Sequence, residues 1–217
     1  MKEKPIQFLP NKMRFVGLTT PGGPNNLSIM AAPIPLPTDT ELLIKVHASG
    51  VNGADLRERE GMYPVPADAP DILGLEVAGE VIVVGKSCKR FKPGDFVCAL
   101  LIGGGYAEYA IAPEGQCMTI PDGVSVVDAA GLPEVFCTVW TNMMDRCQLK
   151  SGETVLVQGG TSGIGFAAIK VAKAFGAKVF ATARNKKKCD AILRFGADWA
   201  INYRAEDFSA VFRGITC

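Results

Sequence analysis

The chain has a single histidine and no closely spaced thiols: its seven cysteines, at positions 88, 98, 117, 137, 147, 189 and 217, never form a Cys-x-x-Cys pair. Scattered thiols in odd number support neither a disulfide framework nor a zinc knuckle, and the setting they imply is a reducing cytoplasm. No stretch approaches the roughly 18 consecutive apolar residues of a membrane span. The opening MKEKPIQFLPNK mixes Lys and Glu with two prolines, unlike a signal or transit peptide. There is also no excess of one charge: the formal net charge is +1 at pH 7, with acids and bases interspersed. That balance gives neither nucleic acid nor an anionic membrane a reason to bind, so a small-molecule partner is expected. What the 217 residues do have is apolar content, 48% of them, enough for a sizeable core in one or two domains.

From Met13 to about Pro121, short β-branched runs such as ELLIKVHASGV and EVAGEVIVVG alternate with Gly/Pro/Asn/Asp turns such as TTPGGPNN and KPGDF. This pattern predicts a compact antiparallel β unit. The period then changes in VVDAAGLPEVFCTVWTNMMDRCQLKSGE, which reads as a helical connector. After Gly152, strands and helices alternate. Residues 154–158 form an apolar strand, and Ile164, Ala168, Val171 and Phe175 line one helical face. KVFATA is a second strand, NKKKCDAILRF a second helix stopped by Gly196, and WAIN a third strand. This is the signature of a parallel βαβ unit, so the fold class is mixed α/β.

The stretch VLVQGGTSGIG sets glycines where a strand turns into a helix. Gly160 is read as permitting the tight turn, the small Ser162 as letting a ligand approach the backbone, and Gly165 as letting the helix sit close to the sheet. Free N–H groups over Gly160, Thr161, Ser162, Gly163, Ile164 and Gly165, with a helix dipole behind them, suit a pyrophosphate. A glycine-rich turn that merely closes a βα corner is the alternative, and Ser162 departs from the strict G-x-G-x-x-G pattern. The strand before, the helix after and the second strand at the right distance favour the anion site.

Where an NAD site usually carries an acid on the ribose hydroxyls, this chain has Ala183 followed by ARNKKK, with no Asp or Glu between Gly176 and Cys189. Arg184 and Lys186 to Lys188 would meet an extra 2′-phosphate, which points to NADP(H). A solvated helix start is the alternative, although cations there oppose the helix dipole unless an anion is present.

Five motifs in order, KVHASGVNGADLRERE, YPVPADAPDILGLEVAGEV, KPGDFVCALLIGGGYAEY, VLVQGGTSGIG and GADWAINYRAEDF, carry a family likeness from Met13 to about Phe212. The chain resembles the zinc-independent quinone oxidoreductases of the medium-chain dehydrogenase/reductase superfamily, and is most similar to the p53-inducible branch. The resemblance implies an N-terminal extension over residues 1–12, a GroES-like β-barrel domain over 13–125, and the first half of a Rossmann domain with its helical connector over 126–217. It also implies NADPH as cofactor and a quinone or related electrophile as substrate. Lys188 and Tyr203 fall where the family holds the 2′-phosphate, Thr138 on the helix touching the nicotinamide ribose and phosphate, Asn52 beside the nicotinamide, and Tyr63 at the substrate mouth.

Zinc relatives of the superfamily carry a Cys in a Gly-Val-Cys segment and a Gly-His-Glu; here GVN puts Asn52, and GLE puts Leu75, at the ligand positions. No metal site is therefore expected. Hydride transfer to a quinone needs proximity and a dry pocket, with Asn52 and Tyr63 as donors to a developing oxyanion. Taken alone, Asn52 reads equally well as a turn amide, and Tyr63 as a packing residue with a wet hydroxyl. Asp55 reads as a helix cap and His47 as structural. An enone or enoyl double-bond reductase fits the same motifs.

A complete dinucleotide-binding fold runs in strand order 3-2-1-4-5-6, and only strands 1 to 3 are legible before Cys217. The expectation is a C-terminally truncated copy with strand 1 at an exposed edge, either active or retaining only dinucleotide binding. Homodimerisation, common among full-length members of the family, uses the far edge of the Rossmann sheet, which the legible strands lack, so it is not carried over to this chain.

Overall fold

The structure, a computed structural model, describes residues 9–216. Of the extension expected over residues 1–12, the first eight lie outside the described residues. The described residues form two compact units dividing between Glu134 and Val135.

In the first unit, β1 (Lys12–Leu18) and β2 (Leu27–Pro33) form an antiparallel hairpin in register from Lys12 opposite Pro33 to Leu18 opposite Leu27. Five further strands follow: β3 (Glu41–Ser49), β4 (Glu76–Val84), β5 (Phe96–Leu100), β6 (Tyr109–Pro113) and β7 (Cys117–Thr119). They build one antiparallel sheet ordered β6-β3-β4-β5-β7. The two-residue period of β3 explains how this sheet is covered on both faces. Leu42 and Ile44 enter a core with Val77, Val81, Val97 and Ala110, whereas Leu43 faces the opposite way and packs with Met13 and Tyr109. Between β3 and β4 lies the short helix α1 (Gly53–Arg59).

The connector resolves into α2 (Val126–Ala129), capped by Ser125, and α3 (Pro133–Trp140). The helix then widens into a π turn over Thr141–Arg146.

The second unit alternates β8 (Thr154–Val157), α4 (Gly163–Ala174), β9 (Lys178–Ala183), α5 (Lys186–Phe195), β10 (Trp199–Asn202) and α6 (Phe208–Thr216). Its strands are parallel, ordered β10-β9-β8. β9 is central and buried from Val179 to Ala183, as strands covered by helices are. α5 begins at Asn185, whose side chain accepts from the Lys188 amide at 3.0 Å, and stops at Gly196 in the left-handed conformation, φ 110°. The fold is thus mixed α/β, with a curled β unit followed by part of a Rossmann-like unit. The helical stripe on α4 is shorter than its spacing suggests. Ala168 and Val171 are buried, but Ile164 and Phe175 are 39% and 43% exposed. Among the described residues, no helix is long and apolar enough to cross a membrane.

Candidate nucleotide and acceptor site

The loop between β8 and α4 is fastened to the neighbouring strand. Thr182 on β9 accepts from the Gly160 amide through its carbonyl at 3.0 Å and from the Gly159 amide through Oγ1 at 3.2 Å. The turn itself falls to Gly159, with φ 72°, and not to Gly160. Gly160 is required instead for packing, since a Cβ there would lie 2.9 Å from both Ala181 Cβ and Ile192 Cδ1. At Gly165 a Cβ would meet the Gly159 carbonyl oxygen at 2.3 Å, so α4 approaches the loop as closely as the sequence suggests. Ser162 is more than a small residue. Its Oγ accepts from the Gly165 amide at 3.0 Å and donates to the Gly159 carbonyl at 2.9 Å, capping α4. The amides of Thr161, Gly163 and Ile164 have no internal acceptor among the described residues. They form an anion-facing helix start.

Parallel pairing gathers the cationic residues at the same edge of the sheet. Asn202 stands opposite Ala183, and the Tyr203 amide donates to the Ala183 carbonyl at 3.0 Å. Arg184, Lys188 and Tyr203 therefore share the C-terminal edge with the glycine loop. Lys186 is drawn toward Asp190 at 3.7 Å, but Arg184 and Lys188 make no ion pair among the described residues. Thr138 lies on α3 one turn beyond Val135, whose Cγ1 is 3.3 Å from where a Cβ on Gly163 would stand.

In the first unit, Asn52 is the N-cap of α1 and the hub of a buried polar network. Its backbone N–H donates to Asp55 Oδ2 at 2.6 Å, and its side-chain Nδ2 donates to Glu76 Oε1 at 2.8 Å. Glu76 Oε2 accepts from the Glu134 amide at 2.9 Å, and Asp55 Oδ2 accepts from the Tyr106 hydroxyl at 2.9 Å. Asp55 and Glu76 are each 2% exposed, and Asp55 Oδ1 has no partner. Asp55 does cap the helix, as its position suggests, but it is also half of this network. Burial, followed by repulsion from neighbouring acids, raises the carboxyls of Glu58 and Glu134 above their ordinary range. Burial likewise raises Glu76, against the two N–H groups that it accepts. The Tyr106 phenol is raised by burial and then by Asp55. Tyr63 stays outside the network, 37% exposed in the loop after α1. Glu76 in GLE and Tyr106 in GGGYAEY lie within motifs without any sign of these bonds, Glu134 and Thr182 lie in none that marks them, and only the fold brings the four to these places.

Leu75, at the position of the zinc relatives' imidazole, is 7% exposed. Among the described residues no three His, Cys, Asp or Glu are grouped to hold a metal ion.

A GroES-like β unit joined to a parallel unit with an anion-facing glycine loop defines a dehydrogenase/reductase architecture. Residues 38–122 match the alcohol dehydrogenase GroES-like domain family, and residues 163–216 match the zinc-binding dehydrogenase family. A quinone oxidoreductase of Sus scrofa is 35% identical over 189 residues, 86% of this chain and 57% of that protein. The quinone oxidoreductase of Coxiella burnetii superposes with TM-score 0.81 at 30% identity, over 92% of this chain and 65% of that one. A mycobacterial protein complexed with NADPH gives 0.82 at 33%, over 94% and 63%, and the CurK enoyl reductase gives 0.84 at 26%, over 95% and 64%. The two matched domain families together place the chain in the medium-chain dehydrogenase/reductase superfamily, and over most of its length it is similar to quinone oxidoreductases. It spans about three fifths of the length of the curated relatives it matches.

Proposed function

We propose that this chain binds NADPH and serves the reduction of a quinone. The observation that carries this reading is the meeting, at one sheet edge, of the open amides of Thr161, Gly163 and Ile164 with Arg184 and Lys188, which no acid neutralises. The free amides suit the pyrophosphate, and the cations with the Tyr203 hydroxyl suit a 2′-phosphate. The close approach at Gly165 leaves the backbone bare for that group. Thr138 on α3 is assigned to the nicotinamide ribose.

NADPH supplies a hydride when bound. The quinone would accept it at one carbonyl, the electron pair shifting to the second carbonyl oxygen, and a single proton from water would complete the hydroquinone. Asn52, with one side-chain N–H left over from its bond to Glu76, and Tyr63 are assigned as donors to the developing oxyanion. Such a carbonyl is already electrophilic, so the residues need only position and stabilise. A reductase of enone or enoyl double bonds is the second reading, favoured by the likeness to the CurK enoyl reductase.

Calorimetric titration with NADPH and NADH tests the first step. Tighter NADPH binding that Lys188→Glu abolishes is the expected result, while equal affinity for the two cofactors would refute the phosphate assignment. Quinone-dependent and enone-dependent NADPH oxidation, measured side by side, separates the two substrate classes.

A further inference from the structure

Asn52 and Glu134 both aim N–H groups at one buried carboxylate. Glu76 is 2% exposed, its Oε1 accepts from Asn52 Nδ2 at 2.8 Å, and its Oε2 accepts from the Glu134 backbone at 2.9 Å. No cation among the described residues pairs with it. Asp55 and Glu134 add negative charge beside it, and Tyr106 adds a neutral phenol. An acid in such company is costly to bury. Its contacts show what it does there.

A carboxylate offers only acceptors, so it fixes which end of the Asn52 amide faces inward. Nδ2 must turn toward Glu76 while Oδ1 faces the Asp55 amide in the capping box, which leaves one N–H for anything bound outside. The backbone of Asn52 is fixed independently by Asp55. Side chain and main chain are thus held by two different acids: the Asp55 bond is part of the capping box of α1, whereas the Glu76 bond lies outside it.

We propose that Glu76 is a positioning residue that orients the Asn52 amide so that its remaining N–H meets the carbonyl of the electron acceptor. This rests on the assignment of Asn52 to the acceptor made above. Glutamine at position 76 would keep the shape and remove the orientation. Its single acceptor oxygen cannot serve both Asn52 and the Glu134 amide, so its NH2 group meets a donor and one of the two bonds is lost or reversed.

The test is NMR of the whole chain with 15N-labelled asparagine side chains, the Asn52 signal being assigned by its loss in Asn52→Ala. Wild type and Glu76→Gln are each titrated with 1,4-naphthoquinone in the presence of NADP+, a non-reducing cofactor. The expected wild-type spectrum shows one Asn52 amide proton shifted downfield by Glu76, and both amide protons moving as quinone binds. In Glu76→Gln the downfield shift disappears and quinone affinity falls about tenfold, the size of one hydrogen bond to a ligand, while NADP+ affinity is unchanged. An unchanged quinone affinity in Glu76→Gln, with Asn52 responding in wild type, overturns the inference alone. No response of Asn52 in wild type overturns both the inference and the assignment beneath it. If Glu76→Gln does not fold, Glu134→Pro decides. It removes the second N–H, together with the Glu134 carboxyl, at the first turn of α3, where proline is tolerated; compared with Glu134→Gln, which alters the carboxyl and keeps the N–H, it is expected to broaden the Asn52 signal and weaken quinone binding in the same direction. Unaltered behaviour there counts against the inference.

Discussion

Tyr106 donates its hydroxyl to Asp55 Oδ2 at 2.9 Å, on the oxygen that also takes the Asn52 amide, while Asp55 Oδ1 has no partner. The acid is 2% exposed, so each donor matters. Tyr106→Phe is expected to lower unfolding free energy by about 1–3 kcal/mol, the cost of removing one partner from a buried polar group. Urea denaturation measures it, and a change near zero would show the phenol to be dispensable.

The two glycines at the start of α4 are not equivalent. A Cβ at Gly165 would collide with the Gly159 carbonyl oxygen at 2.3 Å, whereas one at Gly163 would meet only Val135 Cγ1 at 3.3 Å. Gly165→Ala is expected to displace the loop, depressing both thermal stability and NADPH affinity. Gly163→Ala is expected to affect stability far less. Similar melting points for the two variants would contradict the packing described for this corner.

On the proposed reading, cofactor preference is set at the end of β9. Arg184→Asp would place a carboxylate where ribose hydroxyls are otherwise met in NAD sites. The ratio of NADPH to NADH affinity is expected to fall by about tenfold or more, with NADPH losing and NADH gaining. Paired binding titrations measure it. A ratio that does not move would place the phosphate elsewhere.

Glu134 gives a pH prediction with a definite sign. Burial and its acidic neighbours Glu76 and Asp55 raise its folded value above the ordinary 4.5. The folded chain therefore binds this proton more tightly than the unfolded chain does. Stability from this group is present in acid and is lost as pH rises through the raised value. Glu134→Gln, which keeps the backbone N–H that Glu76 accepts, is expected to stabilise the protein at pH 7–8. The gain should vanish below about pH 4.5, where both forms are neutral. Melting temperatures of the two proteins across pH measure the difference.

The parallel unit was legible in the sequence because its signals are local. KVFATA and WAIN occupy β9 and β10 residue for residue, and α5 starts after Asn185 and stops at Gly196, where cap chemistry puts its ends. The roles within the glycine loop were less legible. The positive φ belongs to Gly159, and Ser162 serves as a cap, both consequences of how the loop is lashed to Thr182. Of the network around Asn52, only the cap made by Asp55 was legible. Asn52, Glu76, Tyr106 and Glu134 lie on separate elements, and no periodicity or spacing rule connects an N-cap amide to an acid on the next strand. The π turn after α3 likewise has no sequence signal beyond helical spacing.

The ring of Trp199 lies flat on Phe180, centroids 4.2 Å apart and planes 11° from parallel, and Phe212 meets Phe180 edge-on at 5.0 Å. Four residues along from Trp199 stands Tyr203, on the sheet edge proposed to meet the phosphate. Trp140, by contrast, is 47% exposed against Phe175. The chain thus carries two built-in optical probes of different character. One is lodged in the strand that leads into the nucleotide site, and its emission should shift to the blue of the other's. Substituting Trp140 with Phe would leave a single emitter through which occupancy of the site can be followed without any added label.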